Sequence, residues 1–291
     1  MRPRLVEFFE GIVGTGFFVP DYAILHALAI VFCIGVALRE AERTGQNPAR
    51  VFRAGMITVA VALLSARLFT VLQHADYYSS QPWEAFLPWG AGSASSGAFV
   101  GGFVAALVAA RWQQLSVGAF LDCSAPAVAL AIALCRIGCF LNGCDYGTVS
   151  SLPWAMRFPP GSGPQVAHFE QGLIAAGDLS LPVHPTQLYE SLYAAAIFVF
   201  LLHYRKRQRH GGELFALLFI LYPLGRFLNE ILRADPGRGS LFFLSIPQVL
   251  CVVALGSACC FLMMKRGRLK IEAATDLASA QSAYLNNRTE P

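Results

Sequence analysis

Arg136 is the residue from which the chemistry of this chain can be argued. It lies in the stretch Cys135–Gly147, which reads CRIGCFLNGCDYG, begins inside the apolar segment Ala119–Leu141 and ends in a polar turn. At the rise of an α-helix, the arginine is predicted about 8–9 Å below the point where the chain becomes polar. A guanidinium at that depth in hydrocarbon is costly unless it is paired or faces a cavity. A lone arginine could also extend to the lipid headgroups, so its meaning depends on its neighbours.

Arg67 and Arg226 are predicted at the same depth on two other apolar segments. Each lies about 9–11 Å below the outer edge of the hydrocarbon at helical rise. Glu190 reaches a similar depth on a further segment, as do Tyr22 and His26 at the start of the first one. Side chains extending to the headgroups do not explain three arginines that three helices carry into one layer. We therefore interpret this layer as a site.

The charge of this layer suggests what it holds. Glu190 and Glu230 could pair with the arginines, but two carboxylates leave one of three positive charges uncompensated. The guanidinium fork matches phosphate oxygens bidentately, and a phospholipid headgroup is the anion available at that depth. The residues predict a phospholipid-binding site in the outer half of the bilayer. An ion or solute pathway and purely structural ion pairs remain as alternatives.

Membrane-spanning helices must position these residues. Of the 291 residues, 55% are hydrophobic and only 14% are charged, which is more apolar than soluble domains are. The net charge of +4 comes from short loops, so we expect no nucleic-acid partner. We predict an all-α, polytopic membrane protein with about seven spans: Tyr22–Leu38, Gly55–Leu72, Gly97–Ala110, Ala119–Leu141, Pro185–His203, Glu213–Leu232 and Ile246–Met264.

The distribution of arginine and lysine predicts the orientation of these spans. The loops after the first, third, fifth and seventh spans hold most of the basic residues, which places the N-terminus outside and the C-terminus in the cytoplasm. We expect residues 1–270 to form one transmembrane domain with a periplasmic loop at 143–184, and the polar tail 271–291 to be disordered. Gly97, Gly101 and Gly102 predict a face of small residues for close helix contact.

Several stretches, in this order, resemble the bacterial prolipoprotein diacylglyceryl transferases between about Tyr22 and Met264. They are Ser65-Ala-Arg67-Leu, the signature Ala119–Gly147 with Arg136-Ile-Gly138 and Asn142-Gly143, Pro153-Trp-Ala-Met156 with Phe158-Pro159, His184-Pro-Thr-Gln187-Leu-Tyr-Glu190, and Tyr222–Pro236 with Gly225-Arg226-Phe227, Glu230 and Arg233.

The resemblance implies an enzyme of the bacterial inner membrane. Such enzymes move the diacylglyceryl group of phosphatidylglycerol to the thiol of a lipobox cysteine in a preprolipoprotein and release glycerol-1-phosphate. Arginines aimed at the leaving phosphate would stabilise its charge, and neither a cofactor nor a protein nucleophile is required. We assign Arg136, Arg226, Tyr22 and Glu190 to catalysis. We assign to substrate binding Arg67, Asn142, Gly147, His184, Gln187, Glu230 and Arg233.

The chain departs from the family at the position of a histidine that is a candidate base, where it has Ser96. His26 and His184 are the local substitutes, and either one can also be read as structural. This departure supports an alternative function, that of a non-transferase paralogue acting as a phospholipid-binding or thiol-redox membrane protein. The retained Arg136 and Arg226 favour the enzyme.

A second departure concerns cysteines. Cys139 and Cys144 replace an asparagine and a glutamate of the signature, and Cys135 replaces its first glycine. Cys139 and Cys144 could form a disulfide in the oxidising outer compartment, a thiolate beside Arg136 could be a nucleophile or redox centre, or the thiols could be inert. Because no histidine pair at metal spacing accompanies them, we expect no metal.

Overall fold

The computed structural model describes residues 21–86, 95–235, 240–241 and 243–265, and these are mostly helical. The predicted tail 271–291 and the side chain of Tyr22 lie outside this description. Short 3-10 turns cover Pro82–Phe86 and Arg205–Arg207, and β1 (Ser240–Leu241) pairs antiparallel with β2 (Leu244–Ser245). The helices are α1 (Asp21–Arg43), α2 (Pro48–Gln73), α3 (Ala75–Ser80), α4 (Ser95–Trp112), α5 (Val117–Asn142), α6 (Gly163–Glu170), α7 (Thr186–Tyr204), α8 (Glu213–Ile231) and α9 (Ile246–Lys265).

A helix coincides with each of the seven predicted spans. Four of the described helices, α2, α5, α8 and α9, are long and apolar enough to cross a membrane, and α4 is a shorter apolar helix. The first turns of α7 are more polar than those four helices because they carry Gln187 and Glu190, which are both buried. The prediction of an all-helical chain with several membrane-spanning helices is confirmed. The number of seven crossings and their orientation stay predictions.

The central helix of the fold is α5. It packs against α1, α7 and α8 and also contacts α4. Its small residues Ala125, Ala129 and Ala133 are buried, and small side chains let helix backbones approach closely in membranes. In the most apolar 18 residues of α5, half of the residues are buried, whereas in the corresponding stretch of α2 only 11% are buried. A polar side chain on α5 therefore tends to face other helices, where it can find partners.

Glycines join α4 closely to α2. A Cβ atom added to Gly97 would lie 2.5 Å from Cβ of Phe69 and 2.6 Å from the carbonyl oxygen of Ser65, and one added to Gly101 would overlap the Ser65 side chain. Only a hydrogen atom fits at these two positions. The predicted contact through small residues is therefore confirmed at Gly97 and Gly101.

Buried carboxylates hold the end of the bundle where α1 and α7 finish. Asp122 accepts hydrogen bonds from the backbone N–H groups of Gly212 at 2.6 Å and Phe215 at 3.1 Å. Glu40 forms an ion pair with Arg205. The basic loops that follow α1 and α7 therefore meet at one end of the bundle, which is the arrangement that the charge pattern predicts.

The chain between α5 and α7 packs at the opposite end as an ordered segment. Tyr146, Phe158 and Val183 are buried together and form a small core of their own. Val183 also pairs with Met156 in an isolated antiparallel bridge. This long segment is therefore held in place beside the ends of the helices that carry the predicted site.

Candidate active site

Glu190 is the point at which three helices meet. Its side chain on α7 is 1% exposed, and its Oε1 lies 3.1 Å from Nε of Arg136 on α5 and 3.7 Å from Nε of Arg226 on α8. Tyr222 donates its hydroxyl to the same oxygen at 2.7 Å, and Asn229 donates Nδ2 to Oε2 at 3.3 Å. A buried carboxylate stays charged only when cations and hydrogen-bond donors offset the loss of its hydration. Glu190 thus holds two of the three predicted arginines in one layer.

Asp145 is a site residue that the sequence reasoning missed. It forms an ion pair with Arg136, and its Oδ1 lies 2.5 Å from a terminal nitrogen of Arg233. The chain reverses here because Gly143 ends α5 with a φ of 74° and Asp145 itself has a φ of 59°. Burial would raise the pKa of Asp145, but the positive charges of Arg136 and Arg233 outweigh it and lower that pKa. An acidic residue in the turn after a buried arginine was the available signal.

Glu230 and Asp235 complete the cluster on the side of α8. Glu230 forms an ion pair with Arg226 and lies 3.9 Å from Nε of Arg233. It also accepts a hydrogen bond from the hydroxyl of Ser245 at 2.9 Å. Asp235 lies 2.6 Å from a terminal nitrogen of Arg233. Arg226 on α8 and Arg233 in the turn after it therefore each gain a further carboxylate partner, beside Glu190 at Arg226 and Asp145 at Arg233.

The described residues of this cluster do not show the expected surplus of positive charge. Among the described residues, three guanidinium groups face four carboxylates, which gives a formal charge of −1. The sequence count missed the two aspartates because they lie in turns that fold back onto the helix ends. The members are Arg136, Arg226, Arg233, Asp145, Glu190, Glu230 and Asp235.

The described contacts of Arg67 lie outside this cluster. They therefore do not support the expectation that Arg67 shares a layer with the other arginines. Its Nε donates to the carbonyl of Ala85 at 3.0 Å and a terminal nitrogen donates to that of Glu84 at 2.6 Å. Its guanidinium carbon also lies 5.3 Å from the ring centroid of Tyr78. These contacts tie α2 to the 3-10 turn that follows α3. A substrate-binding role for Arg67 stays a prediction.

Comparison with known sequences identifies the family to which this cluster belongs. The family model for prolipoprotein diacylglyceryl transferase matches residues 12–264. The chain belongs to this family. It is 29% identical over 255 residues to the phosphatidylglycerol–prolipoprotein diacylglyceryl transferase of Clostridium tetani. The aligned region covers 88% of this chain and 94% of that relative. The enzyme of the same name from Corynebacterium glutamicum is 30% identical over 263 residues, with 85% and 79% covered. The resemblance is confirmed, and the chain is a transferase of this family with several apolar helices.

Three further residues that were assigned to substrate binding hold the transferase signature turn in place. Gln187 donates Nε2 to the carbonyl of Cys144 at 2.6 Å. Gly147 donates its backbone N–H to the carbonyl of His184 at 3.0 Å, and Nδ1 of His184 lies 3.2 Å from the hydroxyl of Tyr189. These contacts are within the protein, so a direct contact of these residues with substrate stays a prediction.

Two positions bear on the missing histidine of the transferase family. Ser96 lies in the first turn of α4, and Phe99, one turn later, has its ring centroid 6.1 Å from that of Tyr222. The start of α4 therefore lies beside the cluster. The ring of His26 lies 3.4 Å from where a Cβ of Gly138 would be, so this histidine packs against the helix that carries the signature.

The two signature cysteines lie close together as free thiols. The Sγ atoms of Cys139 and Cys144 and a carboxylate oxygen of Asp145 lie within 4.8 Å of one another. A terminal nitrogen of Arg136 is 4.0 Å from Sγ of Cys139, and Asn142 is the last residue of α5, between the two cysteines in the chain. The disulfide is not formed in the structure and stays a prediction. The closeness that it requires is present.

Proposed function

We propose that this transferase moves the diacylglyceryl group of phosphatidylglycerol to the thiol of a lipobox cysteine in a preprolipoprotein, in the bacterial inner membrane. The observation that carries the proposal is the convergence of Arg136 and Arg226 on Glu190. In the proposed orientation both guanidinium groups lie in the outer half of the bilayer, where a phospholipid headgroup is the available anion. Relatives from Clostridium tetani and Corynebacterium glutamicum are named for this activity, which supports the same assignment.

The phosphate would bind at the terminal nitrogens of the two arginines. Glu190 lies at the Nε edge of each guanidinium, so it orients both forks, while Asp145 pairs with a terminal nitrogen of Arg136 and Glu230 with one of Arg226. Asp145 holds a terminal nitrogen of Arg136, and its side chain is 26% exposed while that of Glu190 is 1% exposed. Of these two carboxylates, Asp145 is therefore the one that a phosphate would displace more easily from Arg136. A phosphate that replaces it at Arg136 gains charge-assisted, bidentate hydrogen bonds.

The transfer itself is a displacement at carbon. The acceptor thiol loses its proton, and its sulfur attacks the glyceryl carbon that bears the phosphate ester. The carbon–oxygen bond breaks as the thioether forms, and the electron pair leaves on the oxygen of glycerol-1-phosphate. Arg136 and Arg226 stabilise that developing charge in a low-dielectric site. Tyr22 keeps its assignment to catalysis, and the substrate-binding residues named from the family motifs are assigned to positioning the two substrates.

The same proposal includes a topology of seven crossings, with the N-terminus outside and the C-terminus in the cytoplasm. Residues 1–270 form one transmembrane domain, and the segment 143–184 lies in the periplasm. The meeting of the basic loops at the Glu40 and Asp122 end supports this orientation, because positive loops remain in the cytoplasm. The arginine cluster then lies in the outer half of the bilayer, where it meets both phosphatidylglycerol and the exported acceptor.

Complementation tests the function. The chain is expressed in a host depleted of its own transferase, and the mass of a reporter lipoprotein is measured. Addition of a diacylglyceryl group by the parent chain, and none by Arg136→Ala at equal expression, supports the proposal. A parent chain that is expressed in the membrane and modifies nothing overturns it. The second candidate, a phospholipid-binding or thiol-redox paralogue, would then be favoured by Ser96 and the two signature cysteines.

A further inference from the structure

We propose that Cys139, Cys144 and Asp145 form a centre for a thiophilic divalent cation such as Zn²⁺, which takes the thiol of the acceptor as its fourth ligand. This inference rests on the proposed transferase function and adds a metal to it. The sequence predicted no metal because no histidine pair accompanies the cysteines. The structure adds a carboxylate to the two thiols, and two thiolates with one carboxylate are a ligand set that zinc accepts.

The geometry of the turn supports the centre. The two Sγ atoms and the carboxylate oxygen lie within 4.8 Å of one another. In a tetrahedral zinc site with ordinary bond lengths, neighbouring ligand atoms are about 3.3–3.8 Å apart. The turn that Gly143 makes at the end of α5 is closed by the backbone N–H of Cys144, which donates to the carbonyl of Cys139 at 3.2 Å. The proposed centre requires the side chains to rotate so that the ligand atoms approach by about 1 Å.

The charge of the cluster also permits a cation. The described residues around the turn have a formal charge of −1 before any metal binds. A divalent cation that replaces the protons of two thiols leaves that charge unchanged. Oδ1 of Asp145 can keep its ion pair with Arg233, at 2.5 Å. Oδ2 would leave its ion pair with Arg136 and bind the metal instead. That exchange releases a terminal nitrogen of Arg136 for the lipid phosphate.

The chemistry gives the centre its role. The reaction needs the acceptor thiol as a thiolate, and the family's histidine, a candidate base, is replaced here by Ser96. Three protein ligands leave one position open, as in catalytic zinc sites, and a thiol that binds a metal loses its proton. The proton passes to solvent. The bound sulfur then attacks the glyceryl carbon, the carbon–oxygen bond breaks, and the electron pair leaves with glycerol-1-phosphate.

Co²⁺ is the probe for the centre because its thiolate complexes absorb light. Purified full-length protein in detergent, reduced and stripped of metal, should bind one Co²⁺ per chain with an intense thiolate-to-cobalt band. Cys139→Ala and Cys144→Ala should each weaken that band. Cys135→Ala, one turn earlier on the same helix, is the matched control and should retain it. Absence of the band in the parent, or its full retention in both Cys139→Ala and Cys144→Ala, overturns the centre.

A lipobox peptide tests the fourth ligand with the parent protein alone, so the result does not depend on a variant that folds. A third thiolate should raise the thiolate-to-cobalt absorption about 1.5-fold, and the same peptide with serine in place of cysteine should not. Equal spectra with the two peptides overturn coordination of the acceptor.

Transfer activity separates this inference from the proposed function. Removal of metal should lower the transfer rate on the order of 100-fold, because the loss of a group that assists proton transfer slows a reaction by about this factor. Addition of Zn²⁺ should restore the rate. Unchanged transfer by metal-free protein overturns the catalytic role of the metal. Protein that shows the full cobalt response but transfers no lipid with any metal retains the centre and overturns the transferase function instead.

Discussion

Arg136 on α5 and Arg226 on α8 meet at one atom, Oε1 of Glu190, at 3.1 and 3.7 Å. Two guanidinium groups would repel each other at this range in a membrane interior if no anion lay between them. The shared carboxylate removes that repulsion and holds both forks in one orientation. This pairing supports the proposed site for a single phosphate, because two oriented forks can bind one anion from two sides.

Removal of either arginine should slow transfer. Arg136→Ala and Arg226→Ala each lose charge-assisted hydrogen bonds worth about 1.5–3 kcal/mol, or roughly tenfold to a hundredfold in rate. Lysine should restore only part of the rate, because it keeps the charge but lacks the fork. The measurement is transfer from labelled phosphatidylglycerol to a lipobox peptide. Arg111→Ala, exposed in the last turn of α4, is the control, and equal rates for all three alanine variants would refute the phosphate clamp.

Glu190→Gln should destabilise the fold as well as the site. The amide preserves the shape but leaves two buried arginines without their common counter-charge, and breaking a buried ion pair in this way costs about 3–5 kcal/mol. The measurement is thermal unfolding in detergent. Glu42→Gln, on the exposed surface of α1, should change stability by no more than about 0.5 kcal/mol. A Glu190→Gln protein as stable as that control contradicts the anchoring role.

Gly147→Ala should disturb the turn that holds Asp145. A Cβ atom there would lie 2.6 Å from Cβ of His184 and 2.9 Å from the carbonyl oxygen of Leu232. The backbone must move to relieve these contacts, at a cost of about 1–3 kcal/mol for overpacking, and transfer should fall with it. Gly177→Ala is the matched control because no atom lies within 4 Å of its added Cβ. Equal unfolding temperatures of the two variants would contradict this account.

Cys139 and Cys144 should become a disulfide when the protein is isolated under oxidising conditions. Their sulfur atoms lie within 4.8 Å, and rotation of the side chains can bring them to bonding distance. Both should resist alkylation until reductant is added, and peptide mass should show the loss of two hydrogen atoms on oxidation. Cys135→Ala should behave as the parent. Alkylation of both thiols before reduction excludes the disulfide and favours a reactive thiolate.

Reporter fusions test the topology. A reporter that is active only in the periplasm should be inactive after Met264 and active when inserted between Gly161 and Gly172, because the basic loops stay in the cytoplasm. Immunoblots should show comparable amounts of both fusions. The reverse activities at both positions would invert the orientation and place the arginine cluster in the inner half of the bilayer.

Much of this architecture could be predicted from local sequence. Apolar runs of about twenty residues identify helices whatever their neighbours are, because the bilayer imposes that length. The depth of Arg136 and Arg226 followed from the constant rise of a helix and the position of the nearest polar boundary. Their meeting with Glu190 in one layer was therefore predictable. The close contact at Gly97 and Gly101 was predictable for a similar reason, since only small residues allow helix backbones to touch.

Lateral position and charge balance were decided only by the tertiary structure. Depth along the membrane says nothing about direction around the bundle, and the described contacts of Arg67 lie with the turn after α3 although its predicted depth equals that of Arg136. Asp145 joins the cluster because Gly143 and Asp145 both adopt a left-handed backbone that reverses the chain. A hydrophobic pattern does not encode that turn. The formal charge of the described cluster, and the carboxylate beside the two thiols, depend on it.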